Sequence, residues 1–223
     1  MIKAVIFDMY ETLITQYNNP QYFGRHIAQD AVIEESVFMN AWETTEYDKT
    51  IGRMTFEDAV SKILKENNRY SDELLNKISN KRKMAKRDNF NHLNEQIIPL
   101  LEELKKREIK IGLITNCYSE EVEAIRNSCL FKYFDVVCFS YEEGIKKPDE
   151  AIFNLCLKRL ELSADECLYV GDGGCCELEG AKNVGMKAVQ AVWYIKNIPF
   201  YKENIDRKFL QVERPLDVLN YCL

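Results

Sequence analysis

The sequence predicts an α/β fold: a doubly wound, Rossmann-like parallel sheet with an all-helical insert. Three observations carry that prediction. Five short apolar runs punctuate the chain, at residues 4–7, 109–114, 136–139, 167–170 and 188–192. Helical patterns separate the last four, and strand–helix alternation is what a parallel sheet with crossover helices requires. The first run breaks this rhythm, because residues 15–90 hold helical patterns and no strand signal.

Each element has a local reason. The first run, Ala-Val-Ile-Phe, is uninterrupted, as a strand buried on both faces should be. The insert predicts helices over 26–35, 37–47, 55–66 and 73–86. Thr55 and Asp58 have the spacing of a capping box, with Asp in place of Glu. The run Lys81-Arg82-Lys83 reads as a solvated helix face. Beyond the insert, residues 95–106 place apolar side chains at helical spacing, and a helix over 121–130 takes Ser119 as its N-cap. Pro148 sits at the start of a helix over 151–160, where its missing N–H does no harm. Gly180 and Gly185 flank a short helix before the fifth run, and residues 215–221 close the chain as a last short helix. The expected core is therefore 1–14 with 91–223, and the insert is 15–90.

Composition narrows the partners. The chain has 223 residues, enough for one large domain or a core with a smaller insert. Its net charge of -6 argues against non-specific nucleic-acid binding, yet a single basic pocket suffices for a phosphorylated ligand. The opening apolar run is too short for a signal segment or a membrane span, so the expected compartment is the cytoplasm. All eight cysteines lie in the second half, with no C-x-x-C pair, and read as free thiols. The adjacent Cys175 and Cys176 could bind metal or sense oxidation. His26 and His92 take no role, and Trp42 and Trp193 read as packing residues.

The chemistry should sit where strands stop, because open α/β sheets bind ligands at their carboxyl ends. That rule selects Asp8 after the first run, Thr115 and Asn116 after the second, Lys147 after the third and Asp172 after the fourth. A carboxylate is already ionised at neutral pH and can attack a phosphate monoester without a base. A Mg²⁺ between Asp8 and Asp172 would relieve the repulsion between carboxylate and dianion. Lys147 and the Thr115 hydroxyl would steady phosphoryl oxygens, aided by backbone N–H groups after Asp8.

The segments FDMYETL, LITN, KKPDEAIF and VGDGGCCELEGA, in that order, resemble the four motifs of the haloacid dehalogenase superfamily, mostly phosphatases with some dehalogenases. The motifs bracket nearly the whole chain, and the insert resembles that family's helical cap. The resemblance implies Asp8 as nucleophile, Thr115 as the second-motif hydroxyl, Lys147 rather than Lys146 as the third-motif lysine, and Asp172 as metal-binding acid. It implies phosphate contacts from Thr12, Thr115, Asn116 and Lys147. Glu177 falls where a second acid often stands, acting through water or hydrogen bonds. It also implies a cap that closes over the site and sets specificity, with hinges near Thr15 and Phe90.

Two positions depart from the pattern. Tyr10 stands where the family's phosphatases carry a general-acid Asp; its backbone carbonyl can still reach Mg²⁺, while its phenol either packs under the cap or touches substrate. Glu11 stands where the family usually has Gly, which is tolerable only if the backbone there avoids a glycine-only conformation. The leading expectation is a Mg²⁺-dependent phosphatase of a small phosphorylated metabolite. A 2-haloacid dehalogenase is the second, favoured by Tyr10 but lacking that branch's fourth-motif pattern and a matching context for Arg25 or Arg53. A weakly active or non-catalytic binding member is the third. Substrate and oligomeric state are not set by these residues.

Overall fold

The computed structural model describes residues 1–222 and holds six parallel strands in one sheet. The chain begins with β1 (Ala4–Phe7) and passes into five helices: α1 (Gly24–Ala31), α2 (Glu35–Thr44), α3 (Glu46–Thr50), α4 (Phe56–Glu66) and α5 (Asp72–Asp88). It returns through α6 (Ile97–Lys106), β2 (Lys110–Thr115), α7 (Ser119–Arg126), β3 (Val136–Phe139) and α8 (Ser140–Glu143). The remainder is α9 (Glu150–Leu160), β4 (Cys167–Gly171), α10 (Glu177–Asn183), β5 (Lys187–Ala191) and β6 (Leu210–Val212). The strand order is β3-β2-β1-β4-β5-β6.

That order places β1 at the centre, where the winding reverses direction. Phe7 pairs with Leu113 of β2 and with Val170 of β4. The register opens the carboxyl ends of three adjacent strands at one rim, the place where a doubly wound sheet forms its crevice. The two faces bury separate clusters. Val5, Phe7, Ile111 and Val170 pack with Leu100, Leu101 and Leu104 of α6; Ile6, Ile114 and Tyr169 pack with Ile152 and Phe153 of α9 and Leu178 of α10. The insert has its own core, built on Ile27, Phe38, Trp42, Phe56, Val60 and Ile63. Each fully buried side chain of this size contributes roughly 2 kcal/mol.

Several expectations shift in the folded chain. The second strand runs one residue later than its apolar run, so Thr115 ends β2 rather than following it. The helix expected over 26–35 stops at Ala31, because Val32 turns left-handed with φ +53. The one expected over 37–47 divides at Thr45 into α2 and α3. Thr55 and Asp58 do form the capping box that starts α4. Ser119 is not the N-cap of α7: Tyr118 holds that place, its N–H donating to the Glu121 carboxylate, and the Ser119 hydroxyl instead accepts from the Phe56 N–H of the insert. That helix also ends at Arg126 rather than at residue 130.

Further along, Asp149 caps α9 and Pro148 precedes the cap. Gly180 lies inside α10 rather than at its edge, and a Cβ there would stand 2.7 Å from the Phe153 ring, so glycine is what the close packing admits. Residues 215–221 form a 3₁₀ turn. The sixth strand was not anticipated. Arg82 is buried against the core, whereas its neighbours Lys81 and Lys83 pair with Asp30 and Glu57 at half-exposed positions. No helix among the described residues is long and apolar enough to cross a membrane.

Candidate active site

The rim gathers residues from four separate segments. Asp8 leaves β1 with its N–H donating to the Val170 carbonyl at 2.9 Å, so its carboxylate is fixed to the sheet. The Lys147 ammonium donates to Asp8 Oδ1 at 2.5 Å, to Tyr169 Oη at 3.1 Å and to Glu177 Oε2. Tyr169 Oη donates to Glu177 Oε2 at 2.8 Å, closing the ring. Asn116 clamps the backbone of Lys147 from both sides: Nδ2 donates to its carbonyl at 3.0 Å, and Oδ1 accepts its N–H at 2.8 Å. Asp172 Oδ1 accepts the Gly174 N–H at 2.9 Å, and Glu177 Oε1 accepts the Gly173 N–H at 3.2 Å. Gly171 has a steric reason, because a Cβ would lie 2.0 Å from Glu177 Oε1.

Charge at this rim does not balance. Oxygens of Asp8, Asp172 and Glu177 lie within 4.8 Å of one another, all buried, and among the described residues Lys147 is the single ammonium bonded to them. Burial, with Glu177 adding to it, pushes the Asp8 carboxyl up to about 7 despite the lysine. Burial, with the charges of Glu177 and Asp8 adding to it, pushes Asp172 well above the carboxylate range. Buried carboxylates without enough positive charge behave this way, and an added cation reverses it. The donors are hard oxygens, the set that suits Mg²⁺ rather than a soft metal.

Two connected cavities open from this cluster. The inner one, about 160 Å³, is lined by Asp8, Lys147, Asp172 and Glu177. The outer one, about 490 Å³, runs under the insert between Trp42, Tyr118 and Lys86. Tyr10, Gln16, Asn116, Cys175 and Tyr201 line both. Among the cysteines, Cys129, Cys175 and Cys176 are exposed and the other five are buried; all eight are free.

Asp8, Lys147, Asp172 and Asn116 therefore meet as the strand-end rule predicts, with Lys147 and not Lys146 turned inward. Glu177 takes the second of the two courses expected of it, a direct hydrogen bond from Lys147 rather than one through water. Asn116 grips the Lys147 backbone as well as lining the cavity. Thr115 and Thr12 are fully buried and line neither cavity; the Thr115 hydroxyl makes one long bond, 3.4 Å, to the Asn116 carbonyl, and the Thr12 hydroxyl has no partner among the described residues. Tyr10 packs under the insert, its ring centre 4.9 Å from the Lys86 ammonium, and it also lines the cavity. Glu11 does adopt the left-handed conformation, φ +56, which costs a non-glycine residue about 1–2 kcal/mol. Its carboxylate braces that turn by accepting from Thr15 Oγ1 at 2.6 Å and the Gln16 N–H at 3.0 Å.

Tyr169, Gln16, Gln190 and Tyr201 had not been singled out. Gln190 holds the Asp172 carbonyl at 2.8 Å and also ties down Asn204 and Asp206, carrying the 199–204 turn toward the site. Tyr201, within that turn, packs against Tyr17, ring centroids 5.8 Å apart. A tyrosine inside an otherwise apolar strand is the only sequence signal that any of these offered.

The insert meets the core through a second buried charge cluster. Arg82 donates to Glu120 at 2.9 Å, to Glu121 at 3.3 Å and to the Tyr22 carbonyl at 2.9 Å. Lys86 pairs with Glu121 at 2.5 Å and donates to Gln16 Oε1.

A central parallel sheet with an acidic, lysine-bearing cleft at its switch point defines a class of α/β hydrolases, and comparison with known proteins identifies which. Residues 2–185 match the haloacid dehalogenase-like hydrolase family, and the chain belongs to it. It is a hydrolase. It is 27% identical over 211 residues to a glyceraldehyde 3-phosphate phosphatase of Methanocaldococcus jannaschii, covering 85% of each chain. A Pyrococcus furiosus protein of the same name is 35% identical over 119 residues, a match spanning about half of each chain: 52% of this one and 50% of that one. The structure of a 2-haloacid dehalogenase from Pseudomonas syringae pv. Tomato DC3000 superposes with TM-score 0.72 at 20% identity, covering 99% of this chain and 97% of that one, which is a likeness of fold.

Proposed function

We propose that this chain is a Mg²⁺-dependent phosphatase of a small phosphorylated metabolite, with Asp8 as nucleophile and residues 15–90 as a cap over the site. The observation that carries the reading is the meeting of three buried carboxylates with one lysine at the strand rim. Two phosphatase relatives support it, and their names point toward a sugar-phosphate-sized ester. The eight free cysteines fit a reducing compartment such as the cytoplasm.

Asp8, Asp172 and the Tyr10 backbone carbonyl would hold Mg²⁺, and the shortage of positive charge around them fits a divalent ion. When bound, the ion neutralises phosphoryl charge and lets anion approach anion. The chain's own groups do the rest. Lys147 favours the ionised form of Asp8 against burial and aims it. Asp8 forms a bond to phosphorus as the ester oxygen departs with its electron pair, and water then cleaves the aspartyl-phosphate. Asn116 fixes Lys147, and Glu177 with Tyr169 holds the ammonium from behind.

Turnover of 4-nitrophenyl phosphate tests this. Activity should require Mg²⁺, stop with chelator, and fall at least ~10³-fold in Asp8→Asn. Tyr10 and the dehalogenase fold likeness keep a second reading open to the same experiment. Chloride released from 2-chloropropionate, indifferent to chelator, would replace the phosphatase; neither activity would leave a binding protein.

A further inference from the structure

The proposed reaction leaves one developing charge to be placed. As the phosphorus–oxygen bond breaks, its electron pair settles on the departing oxygen. Inside the inner cavity the charged groups are already engaged. Lys147 is bonded to Asp8 and Glu177, Asp8 and Asp172 only accept, and both Glu11 oxygens accept from Thr15 and Gln16.

Lys86 stands beside residues that line both cavities. It comes from the last turn of α5, is 3% exposed, and lines the outer cavity. Its ammonium lies 4.9 Å from the centre of the Tyr10 ring and bonds Gln16, and both of those residues line the inner cavity. Two of its three N–H groups go to Glu121 and Gln16, which leaves one. The other two cations of the outer cavity are placed differently. Arg82 gives three of its five N–H groups to Glu120, Glu121 and Tyr22, none of which lines the inner cavity, and Lys146 leans over the exposed Tyr47 ring.

We propose that Lys86, delivered by the insert, is the leaving-group residue: its free N–H bonds and neutralises the oxygen that departs from phosphorus. This rests on the phosphatase reading. The balance closes without another reactant. Asp8 gains the phosphoryl group, the ester oxygen leaves as an anion held by Lys86, and the water that hydrolyses the aspartyl-phosphate supplies the proton that ends on it. A fixed charge aimed at a developing anion is worth ~10²–10³-fold. The gain is greatest where the leaving oxygen is least able to carry charge by itself.

The experiment is a series of substituted phenyl phosphates of graded leaving-group acidity, assayed with Mg²⁺. Lys86→Gln should lose ~100-fold in kcat/KM on phenyl phosphate and less than ~5-fold on 4-nitrophenyl phosphate, steepening the dependence on leaving-group acidity. Lys86→Arg should keep the wild-type slope, and Lys146→Gln should leave it unchanged. Should Lys86→Gln fail to fold, Gln16→Ala, which removes one brace of the ammonium, should steepen the slope in the same direction. An equal loss across the series would overturn the assignment, because a structural role lowers every substrate alike. Wild-type protein inert on 4-nitrophenyl phosphate would overturn the phosphatase reading; active wild type with parallel slopes for the variants overturns Lys86 alone.

Discussion

Two buried charge clusters lie close together in this molecule and obey opposite rules. Between α5 and α7, two cations face two carboxylates: Arg82 and Lys86 against Glu120 and Glu121. At the strand rim, three carboxylates face one ammonium. The first cluster balances in charge, and among the described residues it leaves one Glu120 oxygen and one Lys86 N–H without a partner. The second carries an excess of negative charge that folding alone would not favour. Balance marks a joint; imbalance marks a place built for something that arrives later.

Breaking the joint should have the largest effect on stability. Arg82→Met strands Glu120 and Glu121 with only Lys86 for company, and should cost roughly 3–5 kcal/mol in denaturant unfolding. A loss below 1 kcal/mol would mean that the joint opens to water. Filling the rim should do the reverse. Mg²⁺ at about 100 times its dissociation constant should raise unfolding free energy by ~2.7 kcal/mol, and Asp172→Asn should erase that gain. A gain that survives Asp172→Asn would move the ion elsewhere.

Lys49 sharpens the contrast, being a buried cation with no carboxylate in pairing distance among the described residues. It sits 3.0 Å from the centre of the Trp42 ring and is fully buried, and burial lowers its pKa to about 7. Between about 7 and the ordinary lysine value near ~10.4, the unfolded chain holds a proton that the folded chain has released, so stability rises with pH across that window. Lys49→Met should therefore stabilise by roughly 2 kcal/mol at pH 7, with the gain fading as pH approaches 10. A gain independent of pH would show that the ammonium, not the amine, is what the insert buries.

Sequence carried the architecture and most of the rim, for a physical reason. A buried parallel strand must be apolar throughout and must stop at something polar, so strand ends announce themselves. Asp8, Asn116, Lys147 and Asp172 are legible in that way. What escaped depends on tertiary context. The sixth strand, Leu210–Val212, has three residues, a mostly exposed leucine and a glutamine, and no apolar run to betray it. Val32 breaks a helix in a conformation that β-branched residues avoid, so nothing local predicts the stop. Arg82 looks like its neighbours in a basic run, and only the arrival of α7 decides that it points inward. Tyr169 reads as one more strand residue until Lys147 and Glu177 converge on its hydroxyl.

The left-handed turn at Cys175 has a practical consequence. Its thiol stands on the rim shared by both cavities, while Cys117, Cys138, Cys156, Cys167 and Cys222 are sealed inside. With Cys129 and Cys176 changed to serine, a maleimide dye would attach at this one point. The protein thus carries its own anchor for a fluorescent reporter that watches occupancy of the cleft in real time, without a substitution in any group that does the chemistry.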